Sequence, residues 1–249
     1  MVGVRTVVSS WQNSPEILSG RPAGAPGARS ASGKSLKLPT NPKVMFLGDS
    51  LTVGIGGDSS GGFRLAVILA FPTMVPFGSQ TNASSTTLIG MGKEAHEGHG
   101  GFTGPALDTP FAGYLTATGV TIDMVVLHCA TNGGANTGGQ APTAASVLSM
   151  YSKFMTHNPA GIFLVGCNPG FPCLTTYPGV VTPYVDVYTA LNVAFAEIRR
   201  VIEILPRAAL ADVGSTVKDT DLISDGLHPN PSGYSKMAAG WITAISKMT

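Results

Sequence analysis

Four short apolar runs set the strongest limit on how this 249-residue chain can fold: Val44–Leu47, Ile122–Leu127, Gly161–Gly166 and Ala208–Val213. Val44–Leu47 is continuous rather than alternating, the pattern of a strand covered on both faces, and the other three also read as buried strands. Between them lie stretches of helical length and content: GFRLAVILAF at 62–71, Ala144–His157 and Tyr184–Leu205. The last carries Ala190, Val193, Ala194, Ile198 and Val201 on one stripe. Ser232–Met248 closes the chain as a further helix, and Met74–Phe77 reads as a strand that Pro76 confines to an edge. Alternation of this kind predicts an α/β fold, a mostly parallel sheet with helices on both faces. In such sheets sites form at the carboxyl ends of the strands, so chemically useful residues should fall just after the apolar runs.

Residues 1–41 break the pattern. GRPAGAPGARSASGKS reads as a Gly/Ala/Pro/Ser-rich flexible arm, a candidate for homo-oligomerisation, and leaves 42–249 as one domain. The arm is no phosphate loop: Gly27 and Gly33 are one residue too far apart for G-x-x-x-x-G-K-[ST], and no strand precedes them. With 43% hydrophobic and 12% charged residues, the chain can bury a large core under a neutral polar surface. A net charge of +1 gives no reason to expect nucleic acid or an anionic membrane as partner. No apolar run approaches the ~20 residues of a membrane helix. The stretch MVGVRTVVSSWQNSPEILSG lacks the basic and apolar regions of a signal peptide, so the compartment stays open. Cys129, Cys167 and Cys173 match no zinc spacing. Cys167 and Cys173 flank NPGFP and fit either a short disulfide-closed loop or two separate apolar residues; Cys129 is left free in both cases.

The first run ends in Gly48-Asp49-Ser50, which presents a serine just past a strand. A serine hydroxyl is a poor nucleophile until a base takes its proton. Ser59, in GDSSG, fits G-x-S-x-G literally, but that motif works as a tight turn straight from strand into helix. Ser59 lies some ten residues beyond the strand, among glycines, so Ser50 is the stronger candidate. The base is His228, in DGLHPN after the last strand. Asp225, three residues earlier, is spaced to reach its Nδ1–H and fix the tautomer. Oxyanion donors are expected from the backbone N–H of Ser50, from the glycines of HEGHGGFTG (96–104) and from the amide of Asn132, which follows another strand. HEGH itself spaces His96 and His99 three apart among glycines, unlike the H-E-x-x-H zinc motif, and predicts no metal site.

These residues, in this order, resemble the four blocks of the SGNH, or GDSL, hydrolases. GDSLT supplies the serine block at Ser50, HEGHGGFTG the glycine block, ATNGG the asparagine block at Asn132, and SDGLHPNPSGY the block of Asp225 and His228. Gly101 best matches the oxyanion glycine, with Gly100 the alternative one register away. GGFR and GYSKMA add similarity to the carbohydrate-esterase branch, which includes acetylxylan esterases. The resemblance implies a flavodoxin-like α/β/α sandwich and a Ser–His–Asp hydrolase without cofactor. It implies removal of a short acyl group, acetyl above all, from a small-molecule or oligosaccharide ester. A polysaccharide substrate would favour export. Arg64 of GGFR is expected to be a scaffold residue. One departure stands out: the usual G-x-N-D block reads Ala130-Thr131-Asn132-Gly133. Without the aspartate, Asn132 is expected to be held less rigidly. A broad esterase or lipase on simple esters, and a non-catalytic glycan-binding descendant of the fold, are the competing readings.

Overall fold

The computed structural model describes residues 35–58, 61–129, 131–132, 143–167 and 196–249. Its elements run β1 (Lys43–Gly48), α1 (Ser50–Val53), α2 (Phe63–Ala70), β2 (Val75–Phe77), α3 (Thr86–Gly90), β3 (Glu97–Gly98), α4 (Gly104–Ala117) and β4 (Met124–His128). They continue through α5 (Thr143–His157), β5 (Ile162–Cys167), the helical segment 196–202 (α6), β6 (Ala208–Asp212), a 3-10 turn (Asp219–Asp221) and α7 (Pro231–Ile245). The strand order is β2-β1-β4-β5-β6, and every pairing in the ladder is parallel. Counting the five longer strands alone gives 2-1-3-4-5, the flavodoxin-like order expected from the resemblance. Two-residue β3 pairs with Leu47 and Gly48 of β1, beyond the point where β2 pairs with Lys43–Met45.

The continuous apolar runs explain the layers. Side chains alternate across a strand, so Val44, Phe46, Met124, Val126, Ile162 and Leu164 face one way and pack with residues of α2 and α7, among them Phe63, Val67, Met237 and Trp241. Met45, Leu47, Val125, Leu127, Phe163 and Val165 face the other way, against α4, α5 and α6. The Trp241 ring packs against Phe63, with centroids 5.5 Å apart and planes tilted by 35°. Among the described residues, no helix is long and apolar enough to cross a membrane.

The structure departs from the sequence reading most clearly in three places. Helix α4 has no counterpart in the sequence reading, although Thr103 caps it and Leu107, Phe111 and Leu115 form its buried stripe. Pro110 within it obscures the helical pattern. The helix expected over 184–205 stops at 202, and its first part, 184–195, lies outside the described residues. Finally, residues 35–41, given to the arm by composition, sit on the domain. Leu36 is buried in the α2–α7 core, and the Leu38 N–H donates to the Met248 carbonyl at 2.7 Å. Residues 1–34, and with them the phosphate-loop and oligomerisation readings, lie outside the described residues, as do Ser59 and Cys173.

Candidate active site

The site begins where β1 ends. A Cβ on Gly48 would lie 2.2 Å from the His128 carbonyl oxygen and 2.3 Å from Thr52 Oγ1, so only glycine lets the strand turn here against β4. Asp49 caps the turn, its Oδ1 accepting from Leu51 N–H at 3.0 Å, and Ser50 opens α1. Gly54, at φ +95°, ends α1 after one turn and donates its N–H to the Ser50 carbonyl. The result is a short, closed loop that fixes the Ser50 backbone at the carboxyl edge of the sheet.

Buried Arg64, 1% exposed, locks this loop from behind. Its Nε donates to the Thr52 carbonyl at 2.9 Å, Nη2 to that of Val53 at 3.2 Å and Nη1 to that of Glu94 at 3.1 Å. Burial lowers its pKa to about 10, which still leaves it cationic at neutral pH. The guanidinium thus satisfies carbonyls at the open end of α1. Tyr234 of α7 adds a hydrogen bond from its hydroxyl to the Ile55 carbonyl at 2.7 Å.

His228 arrives from the loop before α7. Its Nε2 lies 2.8 Å from Ser50 Oγ, across 178 residues of sequence. Its Nδ1 lies 2.6 Å from Asp225 Oδ2. Asp225 Oδ1 accepts the N–H groups of Leu227 and His228, each at 2.9 Å. Burial pushes the Asp225 carboxyl up, but these hydrogen bonds and the facing imidazole outweigh it and hold the group below its ordinary range. The ionised form is therefore favoured, and Nδ1 is the nitrogen that donates to it. With Nδ1 turned to Asp225, Nε2 is left as the acceptor for the Ser50 hydroxyl. Ser50 is 4% exposed as a residue; the side chains of His228 and Asp225 are 15% and 42% exposed.

The glycine and asparagine blocks meet at the same edge. His99 N–H donates to the Gly48 carbonyl at 2.8 Å, which docks HEGHGGFTG beside β1. Gly101 takes φ +79° in the turn that follows and is exposed. Asn132 lies just past β4, and its Nδ2 donates to the Phe102 carbonyl at 3.1 Å. Phe102 was not singled out from the sequence; its only signal is an aromatic residue directly after paired glycines. In HEGH, His96 accepts Gly98 N–H at Nδ1 and donates from Nε2 to the Asn82 carbonyl. Burial first, then the Arg64 charge, push its pKa down to about 3, so the ring is neutral. Glu97 and His99 pair with each other at 2.7 Å. No group of three or more metal-ligating side chains occurs among the described residues. Cys129 and Cys167 are free, buried thiols whose pKa values burial pushes up.

No protein-family model matches the chain, and no curated protein matches it in sequence. Its structure is similar to solved ones. A family 3 carbohydrate esterase from Clostridium thermocellum matches at TM-score 0.62 and 22% identity, over 82% of this chain and 95% of that one. A family 3 carbohydrate esterase from Talaromyces cellulolyticus matches at TM-score 0.63 and 20% identity, over 83% and 97%. A catalytic mutant of an acetylxylan esterase from Geobacillus stearothermophilus matches at TM-score 0.58 and 12% identity, over 85% and 96%. At these identities the likeness is one of fold: this chain is built on the parallel α/β/α fold of solved carbohydrate esterases.

Proposed function

We propose that this chain is a serine ester hydrolase that removes short acyl groups, acetyl above all, from carbohydrate esters. The observation that carries the reading is the unbroken hydrogen-bonded chain from Asp225 through His228 to Ser50. It needs no cofactor. Ser50 Oγ attacks the ester carbonyl carbon as its proton passes to His228 Nε2. Asp225 holds the imidazole in the right tautomer and stabilises its cation. The N–H groups of Ser50 and Gly101 and the Asn132 amide are the proposed donors to the oxyanion. The bond to the alcohol oxygen then breaks, and the alcohol leaves with the proton from His228. Water, deprotonated by His228, attacks the acyl-Ser50 carbonyl; the acyl–Oγ bond breaks, His228 returns the proton to Ser50 Oγ, and the carboxylic acid leaves.

The carbohydrate part of the reading is supported by the fold, shared with solved carbohydrate and acetylxylan esterases. The test is acyl release from acetate, butyrate and octanoate esters and an acetylated xylan, with wild type and Ser50→Ala side by side. Ser50-dependent release that falls steeply beyond acetate and includes the xylan is the expected result. Ser50-dependent release from the simple esters alone would keep the hydrolase and move the substrate to general esters. Release that survives Ser50→Ala would remove the mechanism.

A further inference from the structure

The glycine block ends in a turn that cannot hold itself. Gly100 and Gly101 carry no side chains; among the described residues, chain neighbours aside, nothing lies within 4 Å of where a Cβ on Gly101 would be, and only Ile55 Cδ1, at 3.9 Å, lies that near one on Gly100. The shape of this turn must come from its ends. At one end, the Glu97 carboxylate is 1% exposed and accepts three hydrogen bonds: from Ser79 N–H and Ser79 Oγ, each at 2.7 Å, and from His99 Nε2 at 2.7 Å. His99 is thereby fixed in orientation. Its ring stacks on Tyr114 of α4, with centroids 5.1 Å apart and planes 12° apart. It also stacks on Phe102, at 4.8 Å and 20°. The far end of the turn closes with Phe102 N–H donating to the His99 carbonyl at 3.2 Å.

The carbonyl that this stack positions is the one Asn132 uses. One N–H of the Asn132 amide goes to Phe102 O at 3.1 Å. That bond sets the plane of the amide and directs its second N–H elsewhere. The residue after Asn132 is Gly133, so the carboxylate that follows the asparagine in the SGNH block is absent. We infer that Phe102, stacked on His99 and backed by Glu97, is a positioning residue that orients the Asn132 amide in place of that carboxylate. This rests on the esterase reading of the site. A backbone carbonyl cannot be deleted by substitution, but the ring that places it can. Misplacing a donor by about 1 Å costs as much as 10²-fold in rate.

The experiment is a double-mutant cycle on kcat and KM for acetyl-ester hydrolysis. Phe102→Ala and Phe102→Leu are expected to lower kcat about tenfold with KM little changed. Leu fills the space without a flat face and keeps the fold if Ala does not. Phe102→Tyr, which preserves the stack, is expected to retain wild-type kcat. In an Asn132→Ala background, Phe102→Leu is expected to cost less than about twofold, because the group it acts through is gone. Losses that multiply in the double variant, or a Phe102→Leu enzyme as fast as wild type, would overturn the inference while leaving the esterase intact. A wild type with no Ser50-dependent turnover would overturn the esterase reading and this one with it.

Discussion

Ser50, His228 and Asp225 differ in how far each depends on its surroundings. Ser50 and the His228 ring are largely enclosed, whereas the Asp225 side chain is 42% exposed. On the proposed mechanism, water can partly replace an exposed carboxylate, but nothing replaces the nucleophile or the base. Ser50→Ala and His228→Ala are therefore expected to abolish nearly all turnover. Asp225→Asn should lose less, an order readable from kcat of the three variants on one acetyl ester. Ser59→Ala should leave kcat unchanged in the same assay. Asn132→Ala is expected to cost on the order of 10²-fold in kcat, the usual weight of one oxyanion donor. A smaller loss would mean that backbone N–H groups carry the oxyanion without it.

Among the elements, α1 depends most on the rest of the molecule. Four residues, Ser50–Val53, cannot sustain a helix alone, since the first turn fixes several dihedrals for one hydrogen bond. Asp49 caps its start, Gly54 closes its end, and Arg64 takes up the Thr52 and Val53 carbonyls. Arg64→Met would keep most of the volume and orphan those acceptors. The expected cost is about 3 kcal/mol of unfolding free energy, read from urea titration, with kcat falling as the Ser50 loop loosens. Helix α7 has a similar anchor. Asp221 accepts from Lys218 N–H, Ser232 Oγ and Lys236 Nζ, and its carbonyl accepts Asn230 N–H. This ties both sides of the His228 loop together. Asp221→Ala is expected to cost about 2 kcal/mol in the same titration.

At the scale of the molecule, the strand order places the chemistry. The order reverses between β1 and β4, and crevices at such switch points lie at the carboxyl ends of the strands. Ser50 follows β1 and Asn132 follows β4, so the two lie on either side of that reversal. The domain also reaches further toward the N-terminus than composition suggests. Leu36 is 2% exposed, in one core with Met248 at the far end of the chain. Leu36→Ala is expected to lower stability by about 2–3 kcal/mol, measurable as a drop in Tm. An unchanged Tm would return residues 35–41 to the arm.

The sequence by itself determined the strands of the ladder, the parallel sheet and the candidate residues Ser50, Asp225, His228 and Asn132. Those signals are local: an apolar run such as Val44–Leu47 means burial on two faces, and a D-x-x-H spacing is short enough to read directly. Only the tertiary structure decided that Ser50 and His228, 178 residues apart, come within 2.8 Å, because the sheet order brings their loops to one edge. It also decided that the Phe102 carbonyl holds Asn132, a contact between backbone and side chain 30 residues apart. No residue type announces such a bond, since every residue carries the same carbonyl. Helix α4 is illegible in the sequence because Pro110 masks its period, yet its Tyr114 stacks on the histidine behind that contact.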